Sequence, residues 1–491
     1  MRFGIDFGTT HTVVALVDRG NYPIVSFEHG DLIPSLIAAR ADGALRFGYA
    51  AAALSQDPEW EVLRSFKRLL DRPGAEVRLA GRPFSLEGLL VRFLGHVREE
   101  LVLHSNAGVA ANEGIEAAVS VPANASTSQR LLTLDGYRRA GFEVRAVLNE
   151  PSAAGFEYAH RFRETVTSKR EYVLVYDLGG GTFDASLIHM EGRNNEVITS
   201  SGISHLGGDD FDDAVLQLVL QRSGARVPSD RERRALLDDI REHKEAINPN
   251  TRKFMVAVGE KPFVLPVEDV YDACAPLVEQ TLSAMEPAMK DPRRTEAVDV
   301  AWTELAGIYV VGGASSFPPV YRRLREKFGA HRVRRSPHPF GSCAIGLAIH
   351  LDEGSGYKLT ERLTRHFGVF REEATGERVS FDVLVPKDTP LPAEVSRRYR
   401  AAHNVGHYRF VECGRVEEGR PEGNLSPWDE VLFPFDQALR DADLHGVPIE
   451  RLPGDGPEVE ELYKCAPDGT VEVSVRVLDD GFERTVRLAR R

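Results

Sequence analysis

Two stretches of one design dominate what this chain can fold into. FGIDFGTTHTVVALV (3–17) and LVYDLGGGTFDASLI (174–188) each run from an apolar segment through an aspartate and a Gly/Thr-rich turn into a second apolar segment. Alternating apolar residues on either side of such a turn predict a β-hairpin, with glycine and threonine supplying the reversal. Asp6 and Asp177 stand at the same place in the two copies. A duplicated hairpin separated by a whole domain's length predicts two similar half-domains facing each other. The second copy carries three consecutive glycines, Gly179, Gly180 and Gly181. Glycine weakens a strand interior, so this run needs a compensating task.

Composition narrows the setting. A chain of 491 residues is too long for one core and predicts several structural units. With 42% hydrophobic and 27% charged residues it is ordinary globular material rather than a disordered, collagen-like or coiled-coil chain. A net charge of −13 offers no general attraction to nucleic acid or an anionic membrane surface, and neither partner is expected. The sequence has no long apolar run and opens directly into a strand pattern without a leader, so the expectation is a soluble, cytoplasmic protein. Cys274, Cys343, Cys413 and Cys465 lie far apart and read as reduced structural thiols.

Between the hairpins, IEAAVSVPAN (115–124) reads as a buried strand, residues 126–144 as a helix stopped at Gly141, and 146–162 as strand, turn and helix. After the second hairpin, helices are expected around 208–223, 229–247 and 266–290. LAGIYVVGGASSFPPVYRRLREKFG (305–329) then reads as strand, Gly-Gly turn and helix. Residues 351–367 read as a polar linker or exposed connector. From residue 367 onward, short alternating strands predict an all-β module, clearest around the Asp468-Gly469 and Asp480-Gly481 turns. Residues 419–461 are richer in proline and acidic residues; they read as a solvated excursion or as a decoration that binds a dedicated partner.

A triphosphate held between two lobes needs approachable backbone N–H groups, hydroxyl donors, and carboxylates for a hydrated divalent cation. Gly8, Thr9 and Thr10 with Asp6 supply that set in the first hairpin. Gly179 to Gly181 and Thr182, flanked by Asp177 and Asp184, supply it in the second. Two unrelated tight hairpins would be the plainer explanation, but the matched aspartates argue against it.

Six motifs in order, GIDFGTTHTVVAL, VPANASTSQR, VLNEPSAAG, YDLGGGTFDASL, LGGDDFDDAVL and IYVVGGASSFPPV, resemble the nucleotide-binding domain of Hsp70 chaperones over residues 1–350. FDVLVPKDTPLPAE (381–394) and APDGTVEVSVRV (466–477) are similar to the first and last strand segments of that family's peptide-binding β-sandwich. The resemblance implies an α/β actin/hexokinase-like ATPase domain of two duplicated lobes at 1–352, a linker at 353–366, and an all-β, sandwich-like domain at 367–491. It implies ATP and Mg²⁺, with K⁺ as a further candidate cation. Asp6 and Asp177 would orient the waters of the metal. Lys67, Glu150, Thr182 and Asp184 would form the hydrolytic centre. Gly8, Thr9, Thr10, Gly179, Gly180, Gly181, Gly207, Gly208, Gly312 and Gly313 would approach phosphate and nucleoside, with Lys244 near ribose and adenine. The implied partners are ATP and ADP, unfolded peptides or a dedicated client, and J-domain and nucleotide-exchange proteins.

The sequence departs from the family pattern in three places. Ser316 stands where relatives usually carry an arginine that stacks on adenine, and Arg241 and Asn248 replace a glutamate and a serine. The linker has isolated leucines, Leu359 and Leu363, rather than a leucine-rich run. The chain ends at Arg491 just after the last hairpin, so the expectation is a β-domain without a helical lid and with fast peptide exchange. Three functions fit: an ATP-driven chaperone, a nucleotide-state switch or adaptor with a dedicated partner, and a small-molecule kinase of the same fold. The last has no separate candidate for a general base.

Overall fold

The first expected hairpin is β1 (Arg2–Phe7) paired antiparallel with β2 (His11–Leu16), closed by the Gly8 N–H donating to His11 O at 3.0 Å. Beside it lie β3 (Ile33–Pro34), β4 (Glu116–Val121) and β5 (Glu143–Asn149), giving a five-stranded sheet in the order β5-β4-β1-β2-β3. The strands β4 and β5 run parallel to β1. The near-continuously buried β4 suits a strand covered on both faces, while β5 is buried only in its second half.

The second hairpin repeats this plan. Strands β6 (Tyr172–Leu178) and β7 (Phe183–Glu191) pair antiparallel, and the Gly179 N–H donates to Thr182 O at 3.0 Å. With β8 (Asn194–Ile203), β9 (Leu305–Val311), β10 (Val333–Arg335) and β11 (Lys358–Thr360) they form a sheet in the order β10-β9-β6-β7-β8-β11. Again the parallel neighbour, β9, joins the outer side of the first hairpin strand. The aspartate expected to match across the copies stands two residues before the turn glycine in both.

This computed structural model describes residues 1–491 except 73, 111, 226–228, 260, 294–298, 374–377, 424, 429–430 and 488–491. The end of the last expected strand run, 488–491, lies outside the described residues. The chain divides into two units, residues 1–124 with 133–359, and residues 125–132 with 360–491. The helix expected over 126–144 is α1 (Thr127–Arg139).

Within the first unit, α2 (Glu150–Arg161), α3 (Gly208–Ser223), α4 (Asp230–Glu245), α5 (Val267–Met285), α6 (Pro318–Phe328) and α7 (Ser342–Leu351) cover the sheets. The helices expected around 208–223, 229–247 and 266–290 are thus present as α3, α4 and α5. One core, with Val13, Ala118, Phe156, Val175, Ile188 and Leu347, draws on both sheets and on α2 and α7. Those two helices cross backbone to backbone: a Cβ on Gly346 would come within 1.7 Å of Ala153 O. A Cβ on Gly4 would meet Ala344 O at 2.1 Å, so α7 also lies directly on β1. All four cysteines are free and buried. Among the described residues no helix is long and apolar enough to cross a membrane.

In the second unit, β12 (His366–Glu373), β13 (Arg378–Val385), β14 (Ala393–Arg400), β15 (Phe410–Cys413), β16 (Ser426–Pro427), β17 (Glu458–Cys465), β18 (Val471–Val477) and β19 (Glu483–Arg487) build two four-stranded sheets. Their orders are β13-β12-β15-β16 and β14-β17-β18-β19. Alternate residues of β18, Val471, Val473, Val475 and Val477, enter a core with Phe367, Phe410 and Tyr463. This core also encloses a charged centre. Glu461 is fully buried and accepts from Arg371 Nη2 at 2.7 Å, from Tyr399 OH at 2.5 Å and from Tyr463 OH.

Two expectations are corrected here. The segment 353–366 is exposed only in its first half: Glu353, Gly354, Gly356, Lys358 and Thr360 are exposed, whereas Glu361 to Arg365 are buried. The reason is local pairing, since Leu363 N–H donates to Thr389 O and Arg362 Nη1 donates to Asp388 O. Nor is 419–461 merely solvated. Trp428, Val431, Phe433 and Phe435 pack into the core, with the Phe367 and Trp428 rings 4.8 Å apart.

Candidate functional site

The two hairpin turns meet face to face. A Cβ on Gly180 would stand 2.4 Å from Thr10 Cγ2, and one on Gly181 would stand 2.7 Å from Thr9 Cγ2. Only residues without side chains let these backbones approach so closely. A third loop closes beneath them. Gly208 N–H donates to Gly179 O at 3.0 Å and Asp209 N–H to Gly180 O at 2.8 Å, while a Cβ on Gly207 would meet the Gly180 carbonyl carbon at 2.6 Å. Gly312 enters from the end of β9 with φ +84°, where any Cβ would strike Leu178 O at 2.3 Å. Gly313 lies next to it against Phe340. The structure therefore gathers every glycine and threonine expected to surround phosphate into one cleft. The hydroxyls of Thr9 and Thr182 have no hydrogen-bond partner among the described residues, and Thr10 Oγ1 lies 3.2 Å from His11 Nδ1.

Beneath the turns lie the charged residues. Asp177 and Asp184 are register partners across β6 and β7, and both are buried. Glu150 opens α2 after the extended Asn149, which places its carboxylate in the cleft, and it too is buried. Lys67 comes from a 3₁₀ turn spanning Phe66–Asp71, entered through Ser65 at φ +52°. Its ammonium donates to Phe7 O and to Glu150 Oε1, the latter at 2.6 Å. Asp6 accepts from Ser120 Oγ at 2.7 Å.

The electrostatics follow from four acids sharing one cation. Burial and the Glu150 carboxylate push the Asp6 carboxyl up to about 6, with Lys67 and Ser120 opposing. Burial and Glu150 push Asp184 up to about 8, despite hydrogen bonds from the backbone at Asn124 and Ala123. Asp177 is likewise raised well above the usual carboxylate range, by burial and by Glu150, Asp184 and Asp6 together. Burial lowers the Lys67 ammonium, but Glu150 and Asp6 outweigh this and hold it above its usual value.

Among the described residues no three His, Cys, Asp or Glu side chains gather to hold a metal ion directly. An ion bound through its own waters needs no such gathering, as is usual for Mg²⁺. The donor set fits such an ion: the excess of buried negative charge around Asp6, Glu150, Asp177 and Asp184 exceeds what Lys67 neutralises. Glycine backbones beside it are open to phosphate oxygens.

Lys244, on the last turn of α4, is buried and donates to Gly208 O at 2.8 Å and pairs with Asp212 at 2.5 Å. Arg241 pairs with Asp212 at 2.9 Å and Asp209 at 3.0 Å. Several residues here carried no signal in the sequence. Ser120 holds Asp6, and the Cys343 thiol lies 3.7 Å from Asp177 Oδ2. Arg68 joins Gly181 O to the Asp210 carboxylate. Its place next to Lys67 was the one available hint.

Residues 70–362 match the family model described as Hsp70 protein. Along its length the chain is 32% identical over 514 residues to a chaperone protein HscA homolog of Laribacter hongkongensis (strain HLHK9), covering 99% of this chain and 77% of that relative. It is 28% identical over 505 residues to the chaperone protein HscA homolog of Azoarcus sp. (strain BH72), covering 98% and 77%. To the chaperone protein HscA of Cronobacter sakazakii (strain ATCC BAA-894) it is 29% identical over 513 residues, covering 99% and 77%. The family model spans more than half of the chain, a relative matches almost all of it, and the turns and carboxylates of the cleft coincide with the motifs that carried the resemblance: this chain belongs to the Hsp70 family.

Proposed function

We propose that this protein is an ATP-driven chaperone of the cytoplasm. Residues 1–352 form an actin/hexokinase-type domain that binds and slowly hydrolyses a nucleoside triphosphate, ATP in the family's manner. Residues 367–491 form a β-domain that holds extended segments of client proteins. The observation that carries this proposal is the meeting of the two glycine-threonine turns directly above Lys67, Glu150, Asp177 and Asp184. The relatives' names, all chaperone proteins, support the client-binding part. J-domain and nucleotide-exchange proteins are the corresponding partners.

Mg²⁺, with Asp6 and Asp177 holding its waters, would neutralise phosphate charge. Thr9, Thr10 and the backbone of Gly179 to Gly181 and Gly207 to Gly208 bind the phosphate oxygens. Thr182 donates its unpartnered hydroxyl to the terminal phosphate. Lys67, fixed by Phe7 O and Glu150, places a positive charge where negative charge develops. Asp184, the buried register partner of Asp177, is the carboxylate placed to accept a proton from the attacking water. Hydrolysis here is positioning and electrostatics, with no covalent intermediate. Slow turnover makes the site a timer for conformational state.

The test is phosphate release at saturating Mg²⁺ and ATP, by wild type and by Thr182→Ala, with and without an unfolded peptide. Wild type should turn over slowly and respond to peptide, and Thr182→Ala should lose most of the rate. Magnesium-independent or absent activity would refute the catalytic role. Turnover indifferent to peptide would point instead to a nucleotide switch with a dedicated partner.

A further inference from the structure

Helix α6 carries its cations unequally. Arg323 and Lys327 are paired with Glu279 at 2.5 Å and Glu286 at 3.0 Å. Arg322 and Arg325, one helical turn apart, have no hydrogen bond or ion pair through their guanidinium groups among the described residues, and neither does Arg335 at the end of β10. Aromatic rings hold these three instead. Arg322 lies over Tyr271 with its guanidinium carbon 5.4 Å from the ring centroid, and Arg325 and Arg335 lie over Tyr321 at 5.5 and 6.0 Å. Tyr321 is itself fixed, since its hydroxyl donates to Val333 O at 3.3 Å and its ring packs on the core of the first unit. A ring face positions a guanidinium without neutralising it, and leaves the N–H donors at its edge unspent.

The three arginines line one hollow of about 630 Å³, a volume suited to a small molecule. It meets the cavity beside the phosphate turns only at Glu245, Ile247 and Ser316, so it lies apart from the glycine and threonine backbones. Of its two carboxylates, Glu326 sits 3.5 Å from Arg323, and Glu245 has no ion pair among the described residues. Three free guanidinium charges thus stand against one free carboxylate, in a chain whose net charge is −13. A singly charged anion gains little beside that carboxylate. A phosphate group carries close to two negative charges and three acceptor oxygens, and a guanidinium meets two such oxygens in one planar fork. Two or more phosphates on one small molecule would engage all three forks together.

We propose that this hollow is an anion site for a small molecule bearing two or more phosphate groups, bound by Arg322, Arg325 and Arg335. It is a second site, separate from the nucleotide cleft proposed above. A linear polyphosphate and a phosphorylated sugar share this chemistry, and the experiment separates them.

The experiment is calorimetric titration of the full chain without Mg²⁺, by tripolyphosphate, fructose bisphosphate and orthophosphate, for wild type and the double variant Arg325→Gln/Arg335→Gln. Any binding of these probes at the glycine-threonine turns is common to both proteins, so the difference reads the hollow alone. Wild type should bind one of the two polyanions at least about 10-fold more tightly than orthophosphate. The double variant should lose about 100-fold at this site, roughly tenfold for each charge-assisted fork removed. Tripolyphosphate as the tighter probe assigns a linear polyphosphate, and fructose bisphosphate as the tighter probe assigns a phosphorylated sugar. Both side chains are exposed, so the variant should keep the wild-type Tm within about 2 °C. No binding of either polyanion, equal binding by the two proteins, or orthophosphate bound as tightly as the polyanions would overturn the proposal. Absence of Mg²⁺-ADP binding by wild type would overturn the nucleotide reading and leave this proposal standing.

Discussion

Asp184 carries the clearest pH signature of any single residue in the cleft. Its carboxyl is raised to about 8 by burial and by Glu150. The folded chain thus keeps a proton that the unfolded chain releases near its ordinary value of about 3.9. Stability from this proton is complete below that ordinary value and is lost as pH rises through about 8. Asp184→Asn removes the dependence: without nucleotide the variant should melt several °C above wild type at pH 8, at roughly 2–4 °C per kcal/mol relieved, with the gap closing toward pH 4. Scanning fluorimetry across pH reads this directly, and a variant less stable than wild type at pH 8 would contradict it. The same variant should hydrolyse ATP at least about 100-fold more slowly, as loss of a general base requires. Asp184 and Asp177 were legible in the sequence because they flank the second repeated turn, and Lys67 only through the family resemblance. Ser120 and Cys343 were not, because β4 and α7 bring them to Asp6 and Asp177 from distant parts of the chain, where neither spacing nor residue type marks them.

At the scale of elements, the glycine run between β6 and β7 now has its compensating task. Gly180→Val would drive a branched side chain into Thr10, so nucleotide binding should fall beyond detection by calorimetry while the β12–β19 unit keeps its far-ultraviolet signature. Retained binding would show that the turns part more easily than their contact suggests. The crossing of α2 and α7 is a separate liability. Gly346→Ala places a Cβ against Ala153 O, and overpacking of this kind costs about 1–3 kcal/mol or more. Guanidinium unfolding should show an earlier transition for the first unit. The hairpins, α3, α4 and α5 could be recognised from alternation, helical spacing and caps. The connector after Leu351 could not: Leu363 is one apolar residue in a polar stretch, and its burial comes from pairing with Thr389, which no local pattern announces.

For the molecule as a whole, the division into two units separates chemistry from packing. The second unit closes its two sheets around Glu461, whose only countercharge at hydrogen-bond distance among the described residues is Arg371. Glu461→Ala leaves that guanidinium without its buried partner, and should destabilise the unit by about 3–5 kcal/mol in denaturant titration. A change below about 1 kcal/mol would mean that Asp382, 2.8 Å from Arg371, suffices alone. The all-β character of this unit was legible in the alternation of residues such as 471–477, whereas the charged centre was not, because Arg371, Tyr399 and Glu461 come from three strands. In the first unit, the contact of Gly346 with Ala153 has a mechanical consequence. Two helices touching through their main chains can neither slide past one another nor draw apart without breaking the core they share. They can twist. Rotation about this crossing is the one relative motion of the two helices that leaves their main-chain contact intact.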